Sequence, residues 1–375
     1  MRTKYINNKR GVLAILLFFL SISIGYSQNV ITTAAPFLTI SPDARAAGIG
    51  DTGAATTPDV NANYWNPAKL VFTKNEIGAA ISYTPWLGKI LNDMWLFYGT
   101  GFYKISREQA VAISMRYFNL GDITFRDEFG EPTGDHRPNE YAIDASYSRM
   151  LSENFSLGVS ARYINSNLLG DISAGQSTRP GVSVAVDLGV YYHKDLTLLG
   201  RNSNLALGLD ISNIGRKITY TDESNRDFIP TNLRLGTALK TDIDPFNNIT
   251  LMVDINKLMV PTIDSTSQTL LSGMFTSFSD APGGFEEELK EYTISGGAEY
   301  WYNNTFAVRV GYFYESKDKG DRKYLTAGVG FRYQVFGLDV AYLLPKERSH
   351  PLAETMRFTL LFDFNNTQQE ESVVE

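Results

Sequence analysis

The 375-residue sequence contains no cysteine. That excludes a disulfide framework, a thiolate metal site and the lipid-anchoring cysteine of a lipoprotein. After its first few dozen residues it also lacks any apolar run approaching the ~20 residues a spanning helix needs. Histidine is scarce: His136, His193 and His350 are dispersed, with no metal-ligand spacing. No local nucleophile motif accompanies them, so the sequence offers no catalytic residue and no cofactor, although side chains that meet only in space would escape such a reading. A net charge of −7 speaks against an extended polyphosphate-binding surface, and hence against nucleic acid as a partner.

What is present is a leader, many aromatics and a recurrent alternation. Arg2, Lys4, Lys9 and Arg10 precede an apolar run over residues 12–24 and small residues at Gly25 and Ser27. This is the layout of a secretory signal peptide over 1–27, cleaved after Ser27. The remainder is rich in Phe (22), Tyr (21) and Gly (31) without being greasy, with a mean hydropathy of −0.17. A wall whose two faces alternate averages out in this way, whereas a bundle of membrane helices does not.

From about residue 76 onward, segments of roughly ten residues alternate with period two, the length a tilted strand needs to cross the hydrocarbon layer. Phe155, Leu157, Val159 and Ala161 alternate with Ser156, Gly158, Ser160 and Arg162, and Val182, Val184, Val186 and Leu188 with Ser183, Ala185, Asp187 and Gly189. The polar face carries Arg116, Asp144, Arg162, Asp187, Asp210, Arg234, Asp254, Glu299, Arg309, Arg332, Asp339 and Arg357. In a closed barrel such mixed charges point inward and satisfy one another.

Link lengths separate this from a soluble sandwich. Strands are predicted at 76–84, 93–105, 109–120, 139–150, 154–167, 181–193, 203–214, 230–241, 247–257, 291–301, 304–315, 322–334, 336–344 and 355–364. Between them, short links (106–108, 151–153, 302–303, 335) take turns with long ones (121–138, 168–180, 215–229, 258–290). Transmembrane barrels have short periplasmic turns and longer outer loops. The expectation is therefore all-β: an antiparallel outer-membrane barrel of about fourteen strands over 76–364, both termini periplasmic. The polar tail 365–375 reads as disordered.

Residues 28–75 do not read as spanning strand. Ser41-Pro42-Asp43-Ala44-Arg45-Ala46-Ala47-Gly48 is a capped, Ala-rich helix start, and the stretch from Pro58 through Trp65-Asn66-Pro67-Ala68-Lys69-Leu70 reads as a second short helix broken by its proline. Together they predict a plug folded back on the periplasmic side. The first stretch, continuing through Ile49-Gly50-Asp51-Thr52-Gly53, followed by Tyr64-Trp65-Asn66-Pro67-Ala68, resembles the N-terminal signature of the PorV (LptO) family of the Bacteroidetes type IX secretion system. The Asn-Pro-Ala element is shared with the wider FadL family of outer-membrane barrels, and PorQ is a less well matched relative. The resemblance runs through the mature chain, including Thr84-Pro85-Trp86-Leu87.

The resemblance implies a FadL-like barrel of fourteen strands that is not itself the export channel. Its implied partners are the translocon barrel SprA, cargo proteins carrying C-terminal signal domains, and an attachment complex of PorU, PorQ and PorZ, in a membrane of outer-membrane lipid and lipopolysaccharide. Two long links carry unusual apolar content: Trp86, Leu87, Ile90 and Leu91 in one, Leu270, Leu271, Met274, Phe275 and Phe278 in the other. Exposed apolar groups on outer loops mark partner contacts, so these residues are candidates for docking translocon or cargo; the alternative is that they fold inward and cap the lumen. The acidic runs at 127–135 and Glu286-Glu287-Glu288 lack calcium-loop spacing and are expected to be solvated surface. A FadL-type transporter of small hydrophobic compounds is the competing function, and it would need a continuous greasy lumen.

Overall fold

The computed structural model describes residues 30–87, 93–168, 179–221, 226–262, 268–345 and 355–364. The predicted leader and tail lie outside them. Strands follow in the order β1 (Ile77–Pro85), β2 (Met94–Ser106), β3 (Gln109–Leu120), β4 (Ile123–Arg126), β5 (Pro132–His136), β6 (Asn139–Ser152), β7 (Phe155–Asn167) and β8 (Gly181–Leu198). Then come β9 (Arg201–Gly215), β10 (Asn232–Asp242), β11 (Asn247–Leu258), β12 (Tyr292–Tyr302), β13 (Phe306–Tyr314), β14 (Lys323–Tyr333), β15 (Phe336–Pro345) and β16 (Met356–Phe364). All but β4 and β5 form one closed antiparallel barrel of fourteen strands, in which β1 pairs with both β2 and β16. Closure leaves the ring without a free edge inside the hydrocarbon layer, where an unpaired backbone group has no water to turn to.

Period-two alternation decides which face each residue takes. Leu157, Val159, Val182, Val184 and Leu188 are exposed on the outer face, while Ser156, Ser160, Arg162, Ser183 and Asp187 are buried in the lumen. Of the charges read from the polar face, all are buried except Arg332, which is half-buried. Short links gather at one end of the cylinder and long links at the other.

Two departures from the expected strands have local causes. β4 and β5 pair as a separate hairpin within the link expected at 121–138. β8 and β9 run further than expected, their ladder continuing to Leu198 opposite Arg201 across a turn in which Leu199 (φ 51) and Gly200 (φ 77) both hold left-handed backbone. His193, expected at a strand end, therefore sits within β8. In the same pair of strands the register slips between Val186 and Leu188. There Asn213 adopts φ 60 and donates its N–H to the Asp187 carboxylate at 2.7 Å, a bulge held by an inward-facing acid.

The segment before β1 occupies the lumen. A 3-10 turn (Pro36–Thr39) leads to α1 (Ala44–Gly48) and α2 (Ala62–Trp65), then to a second 3-10 helix (Pro67–Phe72). Its path spans the barrel's height. Ala34 donates to the Phe228 carbonyl in the long β9–β10 link, while Lys104, beside the short β2–β3 turn, reaches the Thr73 carbonyl. The plug thus reaches the long-link end, farther than the turn-side position expected, because Phe37 and Leu38 bury against Leu96, Phe118 and Ile164 near that end.

Candidate functional site

Two features set what this barrel can do: the seating of the plug and the surface built over the long-link mouth. The plug's turns are fixed by local capping. The Asp43 carboxylate accepts from Ala46 N–H at 2.9 Å, starting α1, and from the Trp65 indole N–H at 2.7 Å, tying α1 to α2. Pro67 cannot continue the donor pattern of α2, so the chain extends at Asn66 and restarts as a 3-10 helix capped by the Asn66 side chain on Ala68 N–H at 3.0 Å.

The Trp65-Asn66-Pro67-Ala68 motif is also where the plug grips the wall. The Asn66 amide donates to the carbonyls of Ala54 (3.1 Å) and Val190 (2.9 Å), and the hydroxyls of Ser148 and Ser156 both donate to the Ala68 carbonyl, at 3.0 and 2.6 Å. This close approach needs a wall without side chains. A Cβ on Gly158 would stand 2.3 Å from the Ala68 nitrogen, one on Gly208 2.0 Å from the Ala54 carbonyl oxygen, and one on Gly311 2.2 Å from the Gly50 nitrogen. Gly328 faces the Gly48 backbone of the plug in the same way, its Cβ position 3.1 Å from the Gly48 Cα.

Charges complete the seating. Arg45 forms a two-pronged pair with Glu299 at 2.8 and 3.0 Å and reaches Asp59 at 2.8 Å; Glu299 then binds Arg309 (2.7 Å), which binds Asp339 (2.8 Å), which binds Arg332 (2.7 Å). A second cluster joins Arg162 to Asp144, Asp187 and Asn213. Asp254 accepts two plug amides, Gly53 N–H at 2.7 Å and Ala54 N–H at 2.9 Å. In these clusters each buried charge has an opposite charge or several donors, the condition under which ions are tolerated out of water, whereas buried Arg116 has only the Leu38 carbonyl at 2.9 Å and the Tyr64 ring. Above the plug a cavity of about 330 Å³ remains, lined by Leu38, Tyr64 and Trp65 but also by Arg162, Arg234, Lys319 and Arg322.

At the long-link mouth the predicted docking residues divide. Trp86 turns inward, its ring edge-on to Phe118 with centroids 5.8 Å apart; Leu87 is half-buried, and Ile90 and Leu91 lie outside the described residues. In the β11–β12 link, Met274 is buried and Leu270 and Phe278 are half-buried, whereas Leu271 and Phe275, one turn apart on α3 (Leu270–Thr276), are 60% and 70% exposed. Phe285 and Leu289, spaced likewise on α4 (Phe285–Leu289), are exposed too and were not among the predicted residues. Their i, i+4 spacing after Gly283-Gly284 is the signal that could have revealed them.

This link is buttressed rather than loose. Glu286-Glu287-Glu288 is not simply solvated: Glu288 is buried and meets Lys257 at 3.0 Å, while Lys319 in the β13–β14 link reaches Glu287 at 2.7 Å and Glu291 at 2.9 Å. Lys257 also binds Glu291, whose other oxygen accepts from the Thr262 hydroxyl at 2.7 Å. Burial pushes the Glu291 carboxyl up, but hydrogen bonds from Lys257, Thr262 and Lys319 outweigh it and hold the group below its ordinary 4.5. A carboxylate so depressed contributes stability above that ordinary value and loses it as pH falls through the lower folded one. A nitroxide on Ser272→Cys, the sole thiol of the chain, should therefore gain mobility as pH drops below 4.5; spectra unchanged down to the onset of global unfolding would refute the buttress.

The two described histidines lie on different elements. His136 lies in β5 stacked near Phe125, His193 lies in β8, and His350 is outside the described residues. Among the described residues no group of three His, Asp or Glu side chains could hold a metal ion.

A family model described as type IX secretion system protein PorV matches residues 24–265. The chain belongs to the PorV family. No curated protein matches it. Solved structures with a similar fold include the Ralstonia pickettii toluene transporter TbuX (TM-score 0.50, 13% identity, 86% of this chain and 98% of that one). A TodX deltaS2S3 mutant monoaromatic hydrocarbon channel (0.51, 12%, 86% and 99%) and the CymD monoaromatic hydrocarbon channel (0.50, 11%, 87% and 98%) are also similar. At such identities the likeness concerns fold alone: the chain shares the closed antiparallel barrel of these channels.

Proposed function

We propose that this protein binds other proteins at its long-link mouth and carries out no chemistry. In this reading the mouth faces the cell surface, the short turns face the periplasm, and the exposed apolar face docks the translocon barrel SprA or the C-terminal signal domain of a cargo protein. Cargo then passes to the surface attachment complex of PorU, PorQ and PorZ. The observation that carries this is the exposure of Leu271, Phe275, Phe285 and Leu289 on one link, the described part of which buried ion pairs hold in shape. A prearranged apolar face avoids part of the ordering cost of binding, whereas a floppy link would bear all of it.

The test is co-purification from detergent extracts. Changing Leu271 and Phe275 together to serine should reduce recovery of translocon and cargo by about tenfold or more, since each such contact contributes on the order of 1–2 kcal/mol. Trp86→Ala, which removes an inward-facing ring, should weaken the barrel's thermal resistance instead. Undiminished recovery with the double variant would overturn the docking surface.

The competing reading is a transporter of small hydrophobic compounds, which the likeness to toluene and hydrocarbon channels and the 330 Å³ cavity favour. Against it stand the cations lining that cavity and a plug held beneath it by charge and hydrogen bonds. Loss of hydrocarbon uptake on deletion, with secretion intact, would reverse the ranking.

A further inference from the structure

The short-link end of the barrel is not level. The last pairing between β7 and β8 is Phe155 with Tyr192, whereas β8 continues against β9 to Leu198. Residues 194–198 therefore stand beyond their neighbour by roughly 16 Å at the rise of an extended strand. The parity of the exposed edge follows from one bond, His193 N–H to the Asn154 carbonyl at 2.9 Å. In an antiparallel ladder alternate residues point their N–H and C=O to the same side, so those of Asp195 and Thr197 face past the end of β7. Among the described residues no strand pairs with them there.

Two further observations sit beside this edge. On its inner side, under the plug, lies a cleft of about 720 Å³ lined by His193, Asp195, Asn204, Lys240 and Asp242. At the tip, Leu199 is 94% exposed and holds φ 51. A turn with both central residues left-handed takes Asn or Gly there, so this apolar side chain is kept against local preference and next to another exposed leucine, Leu198.

We propose that the β8 edge at Asp195 and Thr197 receives an extended segment of a periplasmic polypeptide as an added strand, continuing the line of β7. Unpaired N–H and C=O groups alternating at strand spacing are matched by another peptide backbone and not by a lipid or a small solute. Side chains opposite Asp195 and Thr197 would fall on the side of the cleft that Lys240 and Asp242 also line, while Leu198 and Leu199 cover an apolar residue of the segment. The compartment rests on the orientation proposed above; the added strand does not.

The experiment places the photo-crosslinker benzoylphenylalanine at Leu198 of the full chain in growing cells. A discrete polypeptide adduct is expected. Thr197→Pro removes one edge donor and spares the β8–β9 ladder, which does not use that N–H, and should cut the adduct about tenfold. Leu199→Asn supplies the residue the turn prefers and should also lower the yield, so misfolding cannot account for both. No adduct, an adduct with lipid alone, or a yield indifferent to both changes would overturn the added strand. Labelling of Leu199→Cys on intact cells by a membrane-impermeant maleimide would overturn only the periplasmic assignment.

Discussion

Valine in place of Gly158 or Gly311 should unseat the plug and turn a closed barrel into a conducting one. Each new Cβ would fall 2.2–2.3 Å from a backbone nitrogen of the plug, and backbone held by capping bonds on both sides cannot step aside. Overpacking typically costs 1–3 kcal/mol, and about 3 kcal/mol or more is expected where the clash is with main chain. The wall itself loses nothing, because both positions keep their ladder bonds and valine suits a strand. Purified variants in planar bilayers should show large, persistent conductance where the parent shows little. Gly99→Val is the control: on the outer face its Cβ meets only the Phe97 ring, at 3.4 Å, and it should behave like the parent. Closed, fully stable Gly158 and Gly311 variants would mean that the plug does not rest against the wall as described.

The second large effect belongs to Arg45. Its guanidinium neutralises Glu299 and Asp59 inside the lumen, and alanine there would leave Glu299 with Arg309 alone in a water-poor interior. Breaking a buried pair from one side costs about 3–5 kcal/mol, chiefly because the remaining charge is stranded. Arg45→Ala should lower the temperature at which the barrel loses its compact form on gels, and it should loosen the plug enough for proteases to reach residues 44–59. Pairing Arg45→Met with Glu299→Gln removes both charges and should recover most of the loss. A double variant no better than the single one would show that the pair acts through packing rather than charge.

Much of this architecture was legible in the residues. The wall is written in period two because each strand faces lipid on one side and a polar lumen on the other, so Val182 to Leu188 and their partners could be assigned to faces without coordinates. The count of period-two segments gave the strand number, and alternating link lengths separated a barrel from a sandwich. What escaped was set by contacts far apart in the chain. Nothing near Arg45 announces Glu299, 254 residues away, and nothing near Gly208 announces Ala54. A strand glycine looks the same whether it eases curvature or admits another backbone, so the approach of the plug to Gly328 could not be read from the sequence. The candidate docking residues were legible as apolar content but not as direction: Trp86 and Met274 turn in, Leu271 and Phe275 turn out, and for the last three helix phase decides which.

The ring closes between its first and last strands, and the plug runs directly into the first. Trp65, Arg45 and Lys69 are buried: the Trp65 carbonyl accepts from Arg234 on β10, Arg45 pairs with Glu299 on β12, and Lys69 donates to Gly53 and Thr56 of the plug itself. Threading them into a finished cylinder would require stripping every one of those bonds from water without yet having replacements. Assembly therefore has an order imposed by topology: the leading segment is laid against the growing sheet first, and the β1–β16 seam is sealed last, once the final strand has emerged. A chain lacking β16 would have nothing to pair with β1 and β15, and its buried charges would lie in a trough that cannot shut.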